Sequence, residues 1–253
     1  MTISPSIFRS EVPAEPYDTY SLVRDAIIQR RFTDAISQIP FLSSQQLGEL
    51  DTDGSNLLHK AVQAGDLQLV EVVLRHMCPS QIHVTTLQSQ CTFQFAQANS
   101  MVVDRIECDF LGKQDSLGKT ALFYALTTGI PSAHAIVHLL VQAMSPADLS
   151  LQDKARHTAL SYCLHVQHIN RIPFALLLIA QMRPEDLIRP HRDSMPYLYQ
   201  AILCRSLEVA SALRERMHPQ DFARVAAMLQ VVAPDDDWRL LLSPVLLTKG
   251  AQE

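Results

Sequence analysis

DTDGSNLLHKAVQAGDLQLVEVVLRHM, residues 51–77, sets Gly54 and Gly65 eleven residues apart. The same offset separates Gly118 from Gly129, so four of the seven glycines in this 253-residue chain fall into one pattern. Self-similarity is tested for first, because a missed repeat misassigns the whole fold. Aligned on the glycines, DSLGKTALFYALTTG from Asp115 sets Asp115, Gly118, Thr120, Leu122, Ala125 and Gly129 against Asp51, Gly54, Asn56, Leu58, Ala61 and Gly65. DKARHTALSYCL from Asp153 keeps Thr158 and Leu160, with Arg156 for the turn glycine and Cys163 for the small alanine. HRDSMPYLYQAI from His191 preserves only Leu198 and Ala201.

A second register mark is independent of the first. The units close on MCPSQI (77–82), MSPADL (144–149), MRPEDL (182–187) and MHPQDF (217–222). Proline fits the first position of a helical turn, and Ser145 before Pro146 with Asp148 behind it makes a capping pair, so the motif predicts a one-turn helix between units. Met77, Met144, Met182 and Met217 stand four residues after Val73, Leu140, Leu178 and Leu213. That spacing puts them on one helical stripe and predicts buried, gap-filling methionines. The motif methionines are 38 and 35 residues apart from Met144 onward but 67 apart from Met77 to Met144, so about 29 residues are inserted after the first unit. Walking 35 back from Met77 reaches Leu42, where FLSSQQL (41–47) is a copy of the motif without its proline. The helical spacing of Leu22, Val23, Ala26, Ile27 and then Ala35, Ile36, Ile39 predicts a capping helix pair over 20–39, which an array needs because its terminal face meets water. At the other end, 219–232 and DDDWRLLLSPVLL (235–247) predict a closing pair, with the Asp run at a helix N-terminus.

On these residues, 51–77 resembles the ankyrin repeat, whose pattern is DxxGxTPLHxAxxxGxxxxVxxLL. Asp51, Gly54, Leu58, His59, Ala61, Gly65, Val70, Val73 and Leu74 match, while Asn56 and Leu57 replace Thr and Pro. The likeness continues through 115–182, with Phe123 in the His position, and rests on register elsewhere. It implies an all-α ankyrin-repeat solenoid of about five helix-turn-helix units with C-terminal capping helices, to which the alternating residues of the insertion add one expected β-hairpin. The division expected is a disordered terminus (1–16), a capping repeat (17–47), a repeat (48–82), the insertion (83–114), repeats at 115–149 and 150–187, a degenerate repeat (188–222) and capping helices (223–253). GIPSAHAIV and HINRIPFAL add about three residues each between paired helices and should bulge on the outer side. The resemblance also implies that His59 ties its turn to its helix.

With 21 basic against 26 acidic residues, net charge −5, the chain lacks the basic face that phosphate neutralisation requires, so nucleic acid is not expected as a partner. Its longest uncharged apolar run, from Ile172 to Met182, falls short of the ~18 residues of a membrane span. No signal-peptide pattern opens the chain, and five irregularly spaced cysteines suit reduced thiols, so a cytoplasmic location is expected. No Gly-rich phosphate loop, HExxH, GxSxG or paired-carboxylate motif occurs, and no cofactor is expected. His134 with His138, and Cys163 with His165 and His168, have spacings that can hold zinc. The first pair lacks a third ligand and Cys163 stands at a buried repeat position, so no metal is expected.

In ankyrin proteins the exposed recognition positions are the turn residues and the end of the first helix. Carried over by position, the resemblance assigns partner contact to Thr52, Asp53, Ser55 and Gln63, to Ser116, Lys119, Thr127 and Thr128, to Lys154, His157 and His165, and to Arg192, Asp193 and Met195. The insertion alternates Cys91, Phe93 and Phe95 with Thr92 and Gln94, a strand period, and adds Phe93 and Phe95 to the contact set. The expected function is non-catalytic recognition of another protein by a monomeric array. Divergent arrays with an inserted segment look like bacterial effectors delivered into host cells. The competing reading is a cysteine-dependent effector enzyme, with Cys91 or Cys108 and His83 in the insertion beside the concave groove.

Overall fold

The structure, a computed structural model, describes residues 18–77, 110–127, 129, 132–165, 172–188, 195–232 and 235–243. Local chemistry starts each helix. Asp18 accepts the Tyr20 N–H and opens α1 (Thr19–Ile28), which turns back into α2 (Phe32–Gln38), a 3-10 turn at Ile39–Phe41 and the one-turn α3 (Ser44–Leu47). Asn56 and His59 form a reciprocal cap that opens α4 (Leu57–Ala64), followed by α5 (Leu67–Met77). The next unit is α6 (Ala121–Thr127) and α7 (Ala133–Ala143), closed by α8 (Pro146–Leu149). Thr158 and Ser161 cap α9 (Ala159–Cys163), which pairs with α10 (Ile172–Gln181). The chain ends in α11 (Tyr197–Leu203), α12 (Leu207–Arg216), α13 (Pro219–Leu229) and α14 (Asp236–Leu241).

The helices pair within units and stack between them. First helices α1, α4, α6 and α9 touch in succession, and second helices α2, α5, α7, α10 and α12 form a parallel layer. The fourth unit joins the third through the Thr158 and Tyr197 hydroxyls, 2.7 Å apart, and through the Cys204 thiol on the Leu164 carbonyl. Among the described residues the apolar stripes are buried against neighbouring helices: Ala61, Val70, Val73, Leu140, Leu178 and Leu213 are fully buried. Burying one such aliphatic side chain contributes about 1.5–3 kcal/mol.

Among the described residues, three glycines and three arginines hold left-handed backbone. Gly65 (φ 78°) ends α4, its N–H on the Val62 carbonyl. Arg30 (φ 58°) and Arg205 (φ 52°) stand at the same place in the first and last pairs, with their N–H groups on Ile27 and Ile202. A non-glycine there costs roughly 1 kcal/mol, which explains why only part of the repeat pattern is visible as glycine.

The motif methionines line the core, Met77 and Met217 at 6% and 5% exposure and Met144 and Met182 at 1% and 0%. At 144–149 the motif is the expected one-turn helix: Ser145 Oγ accepts the Asp148 N–H at 3.2 Å, and Asp148 accepts the Ser145 N–H at 3.2 Å. Ser43 and Gln46 make the same reciprocal cap at α3. Two copies differ from expectation: 184–188 is a turn rather than a helix, closed by the Asp186 N–H on the Arg183 carbonyl and the Leu187 N–H on the Pro184 carbonyl, and the last copy is longer than one turn. Pro219 opens the eleven-residue α13, because Phe222, Val225, Ala226 and Leu229 continue a buried stripe that holds the helix past one turn. The Asp run behaves as read, with Asp235 accepting the Trp238 N–H at the start of α14.

The segments 1–17, 78–109 (with the expected β-hairpin and the rest of the first closing motif), 128, 130–131, 166–171, 189–194, 233–234 and 244–253 lie outside the described residues. Of the expected insertion, the described residues 110–112 form a turn and not a strand. Phe110 packs on Gly48, where a Cβ would stand 2.1 Å from its ring, and Gly112 lies against the Asp148 carboxylate. The Phe110 carbonyl accepts the Asn56 side-chain N–H at 3.2 Å, and Leu111 is 2% exposed.

Candidate functional site

Three turns with the same hydrogen bonding precede α4, α6 and α9. Asp51, Asp115 and Asp153 donate their N–H groups to Ser55, Lys119 and His157 at 2.9 Å, and their carbonyls accept Gly54, Gly118 and Arg156. The carboxylates brace the loops from within. Asp115 Oδ1 accepts Leu117 and Lys119 N–H groups at 2.8 Å, and Asp153 Oδ1 accepts His157 N–H at 2.8 Å. Asp51 instead takes the Lys60 ammonium at 2.7 Å, with Arg24 at 3.5 Å and the Tyr20 hydroxyl at 3.3 Å.

The tips are bonded to one another. Ser116 N–H donates to the Asp53 carbonyl at 2.8 Å, and Lys154 N–H donates to the Leu117 carbonyl at 3.0 Å. A Cβ on Gly54 would stand 2.8 Å from Ser116 N, and one on Gly118 would stand 2.8 Å from Lys154 N. These glycines are fixed twice, by φ 75° and by the closeness of the next turn. Arg156 (φ 65°) carries a Cβ at the same place, so a further turn packed at that distance would collide with it. Below the tips His59 fastens adjacent units: its Nδ1 accepts the Asn56 N–H at 3.3 Å, and its Nε2 lies 3.0 Å from the Lys119 carbonyl. Burial holds this imidazole below its ordinary range, so it serves in the neutral form.

Thr52, Asp53, Ser116 and Lys154 stand exposed on the tips, and Gln63 and His165 are exposed at the ends of α4 and α9. Ser55 departs from expectation. It is 3% exposed, with its hydroxyl on Asp53 Oδ1 at 2.6 Å, so it builds the turn; that bond and the Ser55 N–H hold the Asp53 carboxyl below the usual carboxylate range. Lys119 is half-buried with its ammonium 5.8 Å from the Tyr124 ring centre, Thr127 donates to the Tyr124 carbonyl, and His157 faces Asp153 at 3.6 Å. Met195 is 37% exposed. Phe93, Phe95, Thr128, Arg192 and Asp193 lie outside the described residues, as do Cys91, Cys108 and His83 of the enzyme reading. Cys163 is buried while His165 faces out, and His134 packs its ring on Phe174 at 4.5 Å.

Sequence reasoning passed over two kinds of surface residue. Leu117, 53% exposed, occupies the tip position that Asp53 holds in the preceding turn. Ile28 and Leu203, 64% and 46% exposed, extend the row of Gln63, Thr127 and His165 to both ends of the array. The repeat spacing was enough to find both, since an apolar residue at a solvent position has no packing reason to be there.

No helix among the described residues is long and apolar enough to cross a membrane. Comparison with the sequence patterns of known families and with curated proteins finds no match. Among solved structures the chain is similar to EF0377, an ankyrin repeat protein, with a TM-score of 0.53 and 15% identity over 91% of this chain and 98% of that one. That likeness, the tip ladder and the two helical layers together give this chain the ankyrin-repeat fold.

Proposed function

We propose that this array is a non-catalytic module that recognises another protein, as a monomer, through its turn tips and the ends of its first helices. The observation that carries the reading is the main-chain ladder from Asp53 to Lys154, which holds exposed side chains of three successive units in fixed register. Pre-ordered surface of this kind binds without an ordering penalty at the moment of contact. Gln63, Thr127 and His165, with the missed Ile28 and Leu203, supply the second row of the same surface.

A photo-crosslinking residue placed at Leu117, on the tips, or at Arg75, exposed on the outer helix α5, tests this in cells. Adducts to one protein from position 117 and not from 75 are the expected result. Equal labelling from both positions, or from 75 alone, removes the tip surface from the account. For place of action we propose a cytosol, a reading supported by the Cys204 thiol, which serves as a donor to the Leu164 carbonyl. Delivery into a host cell is the effector form of the same proposal. A translocation reporter that stays in the source cell would remove that form and leave the recognition reading intact.

A further inference from the structure

The three tips differ in charge along the ladder. Around the first, the carboxylates of Asp25, Asp51 and Asp53 pair with Arg24 and Lys60 among the described residues, and Glu49 adds a further carboxylate in a cleft it shares with Lys113. Lys60 is drawn inward, its side chain 15% exposed, while that of Asp53 is 60% exposed. The second tip presents Ser116 beside the 53%-exposed Leu117; Lys119 of the same turn is half-buried with its ammonium over the Tyr124 ring, and Asp115 below is taken up by backbone N–H groups and the Tyr124 hydroxyl. The third tip presents Lys154 and Arg156, both exposed and without an ion-pair partner among the described residues, while Asp153 is 6% exposed beneath them. The row therefore runs acidic, apolar, basic.

Resting on the recognition reading above, we infer that the tip row takes an extended segment of the partner with a basic side chain at one end, an apolar one in the middle and an acidic one at the other. Charge complementarity selects that order, since a like charge opposite either end is repelled. Helices pack about 8–10 Å apart, so two unit steps from Asp53 to Lys154 span about 16–20 Å. At ~3.3 Å per residue the basic and acidic side chains of the segment stand five or six residues apart. A helical ligand covers only ~1.5 Å per residue and would need about twelve residues for the same span.

The probe is a phage-displayed library of random twelve-residue peptides selected on the immobilised full chain, with the best peptide then synthesised and titrated by fluorescence polarisation. Enriched peptides should carry Lys or Arg and Asp or Glu five or six positions apart around an apolar residue. Asp53→Asn keeps the Ser55 hydrogen bonds and should weaken binding about threefold to fivefold. Lys154→Glu with Arg156→Glu should weaken it about tenfold or more, and selection on that double variant should return basic residues at both ends. Circular dichroism melts report that each variant is folded. If Leu117→Ser abolishes binding while the charge variants leave it unchanged, the charge order is wrong and tip recognition stands. If all three leave it unchanged, both fall, and a library that enriches nothing overturns the extended segment.

Discussion

Replacing Gly118 by alanine tests the closeness of the turns directly. The new Cβ would lie 2.8 Å from Lys154 N, and ordinary contact begins at 3.4 Å, so the second and third tips must part by about 0.6 Å. That stretches the Lys154 N–H to Leu117 carbonyl bond from 3.0 Å to about 3.6 Å, beyond hydrogen-bond length. Losing it costs about 1 kcal/mol, and holding alanine at φ 75° costs about 1 kcal/mol more. The expected loss is about 2–3 kcal/mol, read by urea unfolding at constant m. Hydrogen exchange at Lys154 should quicken as well. Arg156→Gly is the matched contrast. It relieves left-handed strain but frees the unfolded chain, so its effect should stay within about 0.5 kcal/mol of zero. A Gly118→Ala loss of about 1 kcal/mol or less, with Lys154 exchange unchanged, would show that the tips are not in contact and that the ladder argument fails.

Other perturbations follow from named contacts. Burial holds His59 below its ordinary 6.5, so its stabilising neutral form is fully present above that value and lost as pH falls beneath it; wild type should lose more stability than His59→Phe between pH 7 and 5 in parallel thermal melts, and equal slopes would refute the assignment. Arg216 donates to the Ile179 and Met182 carbonyls at the end of α10, and Arg216→Ala should cost about 1 kcal/mol in urea unfolding. Met182→Ala empties a fully buried site and should cost about 2–5 kcal/mol, whereas Met228→Ala at a 71%-exposed position should change stability by less than about 0.5 kcal/mol.

Most of the fold was legible because two periodic signals agreed. The turn glycines set the register at Gly54 and Gly118, and the closing motif carried it to Met182 and Met217, where the glycines are gone. Arg30, Arg156 and Arg205 explain the fading: the left-handed geometry persists after the residue that announces it is replaced. The reach of α13 was not legible, since Met-x-Pro is compatible with one helical turn or with three. Of the surface positions, the tips were read correctly as exposed at Thr52, Asp53, Ser116 and Lys154. Ser55 was not, because a hydroxyl that closes an Asp turn looks in sequence like one that faces a partner. Tyr124 and Lys60 show the same limit, as both point polar groups back at the turn aspartates of their own units.

The seating of Phe110 against Gly48 and of Gly112 against Asp148 has an engineering consequence. Among the described residues, the units on either side of 78–109 pack directly on each other, α4 on α6 and α5 on α7. Lengthening a closed segment costs only about 0.6 kcal/mol per doubling. This is therefore the joint at which a foreign domain could be spliced into the molecule while the stacked helices on either side stay in register.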